Sequence, residues 1–259
     1  GKTIIKAKKS RDHTENIFRY LRIPIFVKKK ELTDEIVIKG QKSFKAFKYE
    51  IASDPSSCAF FIVLTLLSKN SELNIKNVNI NESRIGFINV LNKMGAKIKM
   101  INIKKKFGEK QADIYVKSQP KLKKINCSPK LSSNLIDEFL IIFLVAARAK
   151  GVSSFFNLEE LNKKESPRLK LGSKLLTKMG IKNKMTKNSI KIFGNPNIYL
   201  KKSVLIGKYL KDHRVFMTSV IAACTFGGNW TIEDPSSYKS SFPSFLKILK
   251  KLGYKFKFI

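Results

Sequence analysis

The sequence predicts an α/β protein assembled from repeated helix–strand units, and two observations point there. Strand patterns alternate with helix patterns along the chain, and one short segment keeps returning. Leu91-Asn92-Lys93-Met94-Gly95-Ala96-Lys97-Ile98 recurs as Leu176-Thr177-Lys178-Met179-Gly180-Ile181-Lys182 and as Leu249-Lys250-Lys251-Leu252-Gly253-Tyr254-Lys255-Phe256. Arg19-Tyr20-Leu21-Arg22-Ile23 is a degraded copy. Each copy reads as an amphipathic helix stopped by glycine at its C-terminal cap, with an alternating strand after it.

What precedes each copy repeats as well. Strands are expected at residues 3–7, 73–80, 152–158 and 229–233, each ahead of one copy. Before the three later strands come strongly apolar helices, at residues 57–67, 136–149 and 213–226. Extra hairpin strands fit residues 113–116 and 190–192. The unit is helix, strand, loop, helix, strand; three units are nearly complete, and residues 1–50 read as the tail of a fourth. Such alternation argues for α/β layers joined by crossover connections.

The chain has 259 residues, 43% hydrophobic and 10% aromatic, which is enough for a sizeable core. Thirteen Gly and eight Pro exclude collagen-like and Pro/Gly low-complexity chains. With 52 Lys plus Arg against 19 Asp plus Glu, the formal charge is +33. That invites a nucleic-acid reading, but 45 of the cations are Lys and seven are Arg, and Arg is the better base-edge and bidentate phosphate reader. Two readings of the lysines stand: a solvated surface, or a field that attracts anions.

Three distant cysteines, Cys58, Cys127 and Cys224, with no CxxC, argue against a disulfide framework or a zinc site and fit a reducing compartment. The longest apolar runs, residues 59–67 and 139–147, fall short of the ~20 residues that span a membrane. There is no signal-peptide pattern and no initiating Met, so the chain reads as cut from a longer protein; a cytoplasmic location is the expectation.

Each apolar helix starts from a polar cluster: Ser53-Asp54-Pro55-Ser56-Ser57, then Ser132-Ser133-Asn134 ahead of Ile136-Asp137-Glu138, then Lys211-Asp212-His213-Arg214. Capping explains much of this, since Ser, Asp and Asn satisfy free backbone N–H groups at ~1 kcal/mol each. If the units are related by pseudo-symmetry, several helix N-termini also converge on one side and make an anion site. Three clusters exceed what capping needs: Lys163-Lys164-Glu165-Ser166-Pro167-Arg168, Asp212-His213-Arg214, and Asp137 inside an apolar opening. No HExxH, GxGxxG, Walker A or GxSxG motif occurs, and two histidines, His13 and His213, cannot make a histidine-rich metal site.

Those clusters, taken with others, carry a resemblance. Ser10-Arg11-Asp12-His13-Thr14-Glu15, Asp54-Pro55-Ser56-Ser57, Asn81-Glu82-Ser83-Arg84-Ile85-Gly86, Ile136-Asp137-Glu138, Glu159-Glu160-Leu161 running into Lys164-Glu165-Ser166 and Arg168, Asp212-His213-Arg214, and Ser241-Phe242-Pro243-Ser244-Phe245 occur in that order. Across essentially the whole chain they resemble 5-enolpyruvylshikimate-3-phosphate (EPSP) synthase, its bacterial branch most closely. The resemblance implies six βαβαββ units in a two-domain inside-out α/β barrel, of which about three and a half are present. Residues 1–50 would end the first domain and residues 51–259 would form most of the second. The family's amino-terminal Lys-Ser substrate motif is not in these residues, so the chain alone is expected to be inactive.

The resemblance also implies a reaction: transfer of the enolpyruvyl group of phosphoenolpyruvate to the 5-hydroxyl of shikimate 3-phosphate, with release of phosphate. By motif, Asp137 is the base and holds the shikimate hydroxyls, Glu165 shuttles the proton at the enolpyruvyl carbon, and Lys164 sits between the reacting groups. Arg168, Arg214 and His213 would bind phosphoenolpyruvate; Ser10 and Arg11 would hold shikimate 3-phosphate with Asp137 and Lys164. No metal or organic cofactor is implied, and the full-length protein is expected to be a monomer with small anionic substrates and no nucleic-acid or membrane partner. Two positions depart from the pattern. Pro167 stands where the family usually has Asp, and Ser240, preceded by Lys239, stands where many relatives have Lys. Two other readings differ in what they require: a UDP-N-acetylglucosamine enolpyruvyl transferase needs a UDP-sugar acceptor, and a basic nucleic-acid-binding protein needs lysines clustered on one face.

Overall fold

A computed structural model describes residues 1–8, 10–40, 43, 45–207 and 212–258, apart from the side chains of residues 130, 132 and 133. Lys211 and the side chains of Ser132 and Ser133, all in the predicted polar clusters, lie outside the described residues.

The chain runs β1 (Lys2–Lys8), α1 (His13–Tyr20), β2 (Ile25–Lys29), β3 (Thr33–Lys39), then α2 (Pro55–Leu67), β4 (Glu72–Asn79), α3 (Gly86–Lys93), β5 (Lys99–Lys106) and β6 (Glu109–Lys117). It continues with β7 (Asn126–Cys127), α4 (Pro129–Ser132), α5 (Phe139–Arg148), β8 (Gly151–Phe155), α6 (Arg168–Lys178), β9 (Asn183–Met185) and β10 (Ile190–Gly194). Last come β11 (Leu200–Ile206), α7 (His213–Phe226), β12 (Gly227–Ile232) and α8 (Phe245–Lys251).

The repetition read from the glycines is a repetition of topology. Strand order is β1-β3-β2 in one sheet, β4-β6-β5 in the next, and β8-β10-β9 in the third, where β7 adds at the edge of β8. In each, the last strand of the unit lies antiparallel between the other two. Each apolar helix is a crossover between parallel partners: Ser53 bridges Val78 around α2, β7 pairs β8 around α5, and β11 pairs β12 around α7. The expected α/β layering is therefore present as several small sheets rather than one continuous one.

Helices with no polar face have to be buried, and these are. Along α2 every residue but Ser57 is buried, and in α5 Phe139 through Ala147 are all buried. Fully burying one such side chain stabilises by about 1.5–3 kcal/mol. The three helices pack on one another with the sheets outside them, an inside-out arrangement that needs helices apolar all round. Burial starts at Pro55; no described residue before it is buried.

The glycines at the ends of α3, α6 and α8 take φ of +97°, +80° and +92° at Gly95, Gly180 and Gly253. In the degraded copy Arg22 occupies the same left-handed slot, with φ +58°, a conformation that costs a side-chain-bearing residue about 1 kcal/mol. Three local expectations are corrected, and one strand had no counterpart in the sequence reading. Residues 136–138 form a turn and α5 starts at Phe139, because Asp137 and Glu138 are held by groups from other elements. The strand expected at 152–158 stops at Phe155, and β11 had no sequence signal. Residues 254–258 form no strand: Tyr254 and Phe256 pack on the core without a ladder partner.

Candidate active site

The turn that displaces the start of α5 exposes one carboxylate to a ring of cations. Arg11 Nη2 is 2.5 Å from Asp137 Oδ2, Lys164 Nζ and Arg168 Nη1 are each 3.4 Å from Oδ1, and Arg214 Nη2 is 4.0 Å from Oδ2. Arg214 Nη1 also donates to the Asp137 carbonyl at 2.9 Å. Burial alone would raise the Asp137 carboxyl, but Arg214, Lys164 and Arg11 together hold it down at about 2. It is a carboxylate at any physiological pH.

Arg168 is the most enclosed of these cations, with a side chain only 2% exposed. Its Nε donates to Asp212 Oδ2 at 2.9 Å, and its Nη2 pairs with Glu165. What turns it inward is local. Pro167 has φ −71° and ψ 72°, and the Arg168 N–H donates to the Ser166 carbonyl at 2.7 Å. That is an inverse γ-turn, a conformation for which proline's fixed φ is already set. Ser166 Oγ donates to the same Asp212 oxygen at 2.8 Å. The proline in place of the family's usual Asp thus leaves Arg168 aimed at the carboxylates.

Asp212 does more than the capping expected of its polar cluster. It caps α7, accepting from the backbone of Arg214 at 2.8 Å and Val215 at 3.4 Å, while also holding Arg168. Burial would raise its carboxyl, and the Arg168 hydrogen bond and charge bring it below the usual carboxylate range. His213 is half-buried beside it; burial, then Arg214, lower its pKa, which favours neutral imidazole. Asp54 is the cap expected for α2, accepting from Ser57 N at 2.9 Å.

The predicted meeting of helix N-termini is also present. Ser56, in the first turn of α2, donates to Glu138 Oε1 at 2.5 Å, immediately before α5. Arg214, in the first turn of α7, reaches both Asp137 and Glu138. The starts of α2, α5 and α7 therefore share one polar centre.

Arg11 comes from a different part of the chain and is brought in by a clamp that had no sequence signal beyond its motifs. Glu109, at the start of β6, accepts from His13 Nδ1 at 2.8 Å, Asn16 Nδ2 at 3.2 Å, Asn79 Nδ2 at 3.2 Å and Asn81 Nδ2 at 3.3 Å. Asn81 Nδ2 also donates to Asp12 Oδ1 at 2.6 Å. The first turn of α1 is thereby fastened to β4 and β6. Ser10 is exposed next to Arg11 and has no side-chain hydrogen bond among the described residues. Lys239 is exposed in a 3-10 turn, Ser237–Ser240, and makes no ion pair among the described residues. Asp137, Lys164, Glu165, Arg168, Arg214 and Arg11 are thus brought together; His213 borders them, and neither Ser10 nor Lys239 makes a side-chain hydrogen bond or ion pair to them among the described residues.

The arrangement suits anion chemistry: four cations gather at Asp137, with no cluster of metal ligands among the described residues. Cys58 and Cys224 are unsuited to nucleophilic work, since burial pushes both thiols up to about 12. No helix among the described residues is long and apolar enough to cross a membrane.

Residues 1–249 match the family model for EPSP synthase (3-phosphoshikimate 1-carboxyvinyltransferase). The chain is 37% identical over 253 residues to the 3-phosphoshikimate 1-carboxyvinyltransferase of Thermodesulfovibrio yellowstonii, covering 96% of this chain and 56% of the relative. It is 35% identical over 254 residues to that of Ruthia magnifica, covering 98% and 57%. Among solved structures, the EPSP synthase of Acinetobacter baumannii aligns with a TM-score of 0.86 at 28% identity, over 97% of this chain and 56% of that one. The enolpyruvyl transferase NikO of Streptomyces tendae shares the fold, with a TM-score of 0.73 at 16% identity over 98% of this chain and 56% of that one. The chain spans a little over half the length of the relatives it matches.

Proposed function

The chain belongs to the EPSP synthase family, and from that premise we propose that its full-length gene product transfers the enolpyruvyl group of phosphoenolpyruvate to the 5-hydroxyl of shikimate 3-phosphate. The observation that supports this most directly is the convergence of Arg11, Lys164, Arg168 and Arg214 on Asp137. Two phosphates and a carboxylate entering together need such a gathering of cations, and guanidinium forks suit all three.

The proposed division of labour takes its roles from the family resemblance, and the gathering of these residues around Asp137 supports it. Phosphoenolpyruvate takes Arg168 and Arg214, with His213 at the edge; shikimate 3-phosphate takes Arg11 and Ser10. When substrate anions engage these cations, Asp137 loses part of the field that holds its pKa near 2, and its proton affinity rises. It then accepts the proton of the 5-hydroxyl as the oxygen adds to C2 of phosphoenolpyruvate. Glu165, whose side chain is 56% exposed, gives its proton to C3, which completes a tetrahedral intermediate. Elimination returns a C3 proton to Glu165 and breaks the C2–O bond to phosphate, which leaves with the proton that Asp137 took from the 5-hydroxyl, so both carboxyl groups end as they began. Lys164, 3.4 Å from Asp137, stabilises charge between the two acids. No cofactor enters this scheme.

Residues 1–50 are read as the end of a first domain and 51–259 as most of a second, with the cleft between them. Catalytic groups from both sides must converge, so the 259 residues by themselves are proposed to turn over poorly. The full protein is proposed to be a cytoplasmic monomer acting on free small molecules, without nucleic-acid or membrane partners. The test is phosphate release from phosphoenolpyruvate by the full-length gene product with each acceptor in turn. Release that depends on shikimate 3-phosphate supports the reading; release only with UDP-N-acetylglucosamine overturns it.

A further inference from the structure

Adjacent residues in the turn before α5 face opposite ways. Asp137 looks into the cation ring, whereas Glu138 is only 4% exposed and looks back toward α2. Its surroundings form one continuous chain. Arg84 Nη2 lies 2.6 Å from Asp54 Oδ1 and donates to Ser56 Oγ at 3.0 Å; Ser56 Oγ donates to Glu138 Oε1 at 2.5 Å; Glu138 Oε1 lies 3.8 Å from Arg214 Nη1. The direction of this chain is fixed by chemistry. A guanidinium can only donate, so Ser56 must accept from Arg84, which leaves its own proton for Glu138.

The same Arg214 nitrogen donates to the Asp137 carbonyl at 2.9 Å. Arg214 is therefore gripped from behind by Glu138 and the backbone of Asp137, with its other nitrogen, Nη2, on the Asp137 carboxylate. Its side chain is only 13% exposed. A long, flexible cation held in this way loses little further rotamer freedom when an anion arrives.

We propose that Glu138 is a positioning residue for phosphoenolpyruvate: with Ser56 and Arg84 it pre-sets Arg214 at Asp137. Arg84, Ser56 and Glu138 are motif residues to which neither the sequence nor the reaction scheme gives a task. The inference rests on the proposed reaction and adds residues to it. None of the three touches substrate; they act through Arg214.

The test is steady-state kinetics of the full-length gene product. Glu138→Gln, which keeps shape and replaces the carboxyl that Ser56 and Arg214 face with an amide, is expected to raise KM for phosphoenolpyruvate about tenfold. It should leave kcat within about threefold and KM for shikimate 3-phosphate unchanged. Ser56→Ala should shift the same constant in the same direction, and Glu138→Asp should recover part of the loss. Because the residues act in series, Ser56→Ala combined with Glu138→Gln should be no worse than Glu138→Gln alone. Ser56→Ala carries the test if Glu138→Gln does not fold. A folded Glu138→Gln with unchanged KM overturns the inference alone, as do effects of the two substitutions that multiply. Absence of shikimate 3-phosphate-dependent turnover in the unaltered protein overturns the proposed function and this inference with it.

Discussion

Arg168 and Asp212 form an ion pair that water barely reaches: Nε lies 2.9 Å from Oδ2, and the side chains are 2% and 0% exposed. Through this one carboxylate the Lys-Glu-Ser-Pro-Arg turn is tied to the start of α7, since Asp212 also caps that helix and accepts from Ser166. Removing one partner of such a pair leaves an uncompensated buried charge. Asp212→Ala is expected to destabilise by about 3–5 kcal/mol, read from urea unfolding of the purified protein. A loss below about 1 kcal/mol would show that the pair behaves like a surface salt bridge.

Asp137 gives the acid limb of stability a definite sign. Its folded pKa, about 2, lies below its ordinary value of 3.8. The stability it contributes is therefore complete above about pH 4 and is lost as pH falls through about 2. The expected loss is on the order of 1–2 kcal/mol after screening by solvent. Asp137→Asn should abolish that part of the pH dependence, measured as unfolding midpoints between pH 5 and pH 2; parallel curves for the two proteins would contradict it.

Pro167 is predicted to be replaceable. Its φ of −71° is open to any residue, and the γ-turn bond uses the N–H of Arg168, not of residue 167. Pro167→Asp should keep Arg168 paired and turnover within about twofold. It should cost about 0.4–1 kcal/mol, because the unfolded chain gains freedom. A large fall in kcat would mean that the proline does more than shape the turn.

The Glu109 clamp predicts where local stability will change. Glu109 holds His13, Asn16, Asn79 and Asn81 together. Glu109→Ala should speed amide exchange in α1 while leaving the buried α5 unaffected. Equal acceleration in both helices would show general destabilisation instead.

How much of this was legible in the sequence depends on what each residue responds to. The repeats were legible because glycine marks helix ends wherever a left-handed turn is needed, and Gly95, Gly180 and Gly253 all take positive φ. Helices α2 and α5 were legible because burial on nearly every face leaves no polar stripe; the limits of α7, which is partly buried, are those read from sequence. The start of α5 was not, because Arg11 and Ser56, 126 and 82 residues away from Asp137 and Glu138, decide it. No local pattern holds that information. Similarly, residues 254–258 alternate like a strand, but a strand exists only where a neighbour supplies hydrogen bonds. The site clusters were visible as motifs, while their connections through Asp212, Glu138 and Glu109 were visible only once the chain was folded.

The most direct test of the central claim is the effect of Asp137→Ala and Glu165→Ala on shikimate 3-phosphate-dependent phosphate release by the full-length gene product. Each is expected to lower kcat by at least about a hundredfold, the scale set by loss of a general acid or base, with the fold retained by circular dichroism. Turnover close to that of the unaltered protein in both variants would contradict the assignment of these carboxylates to the chemistry.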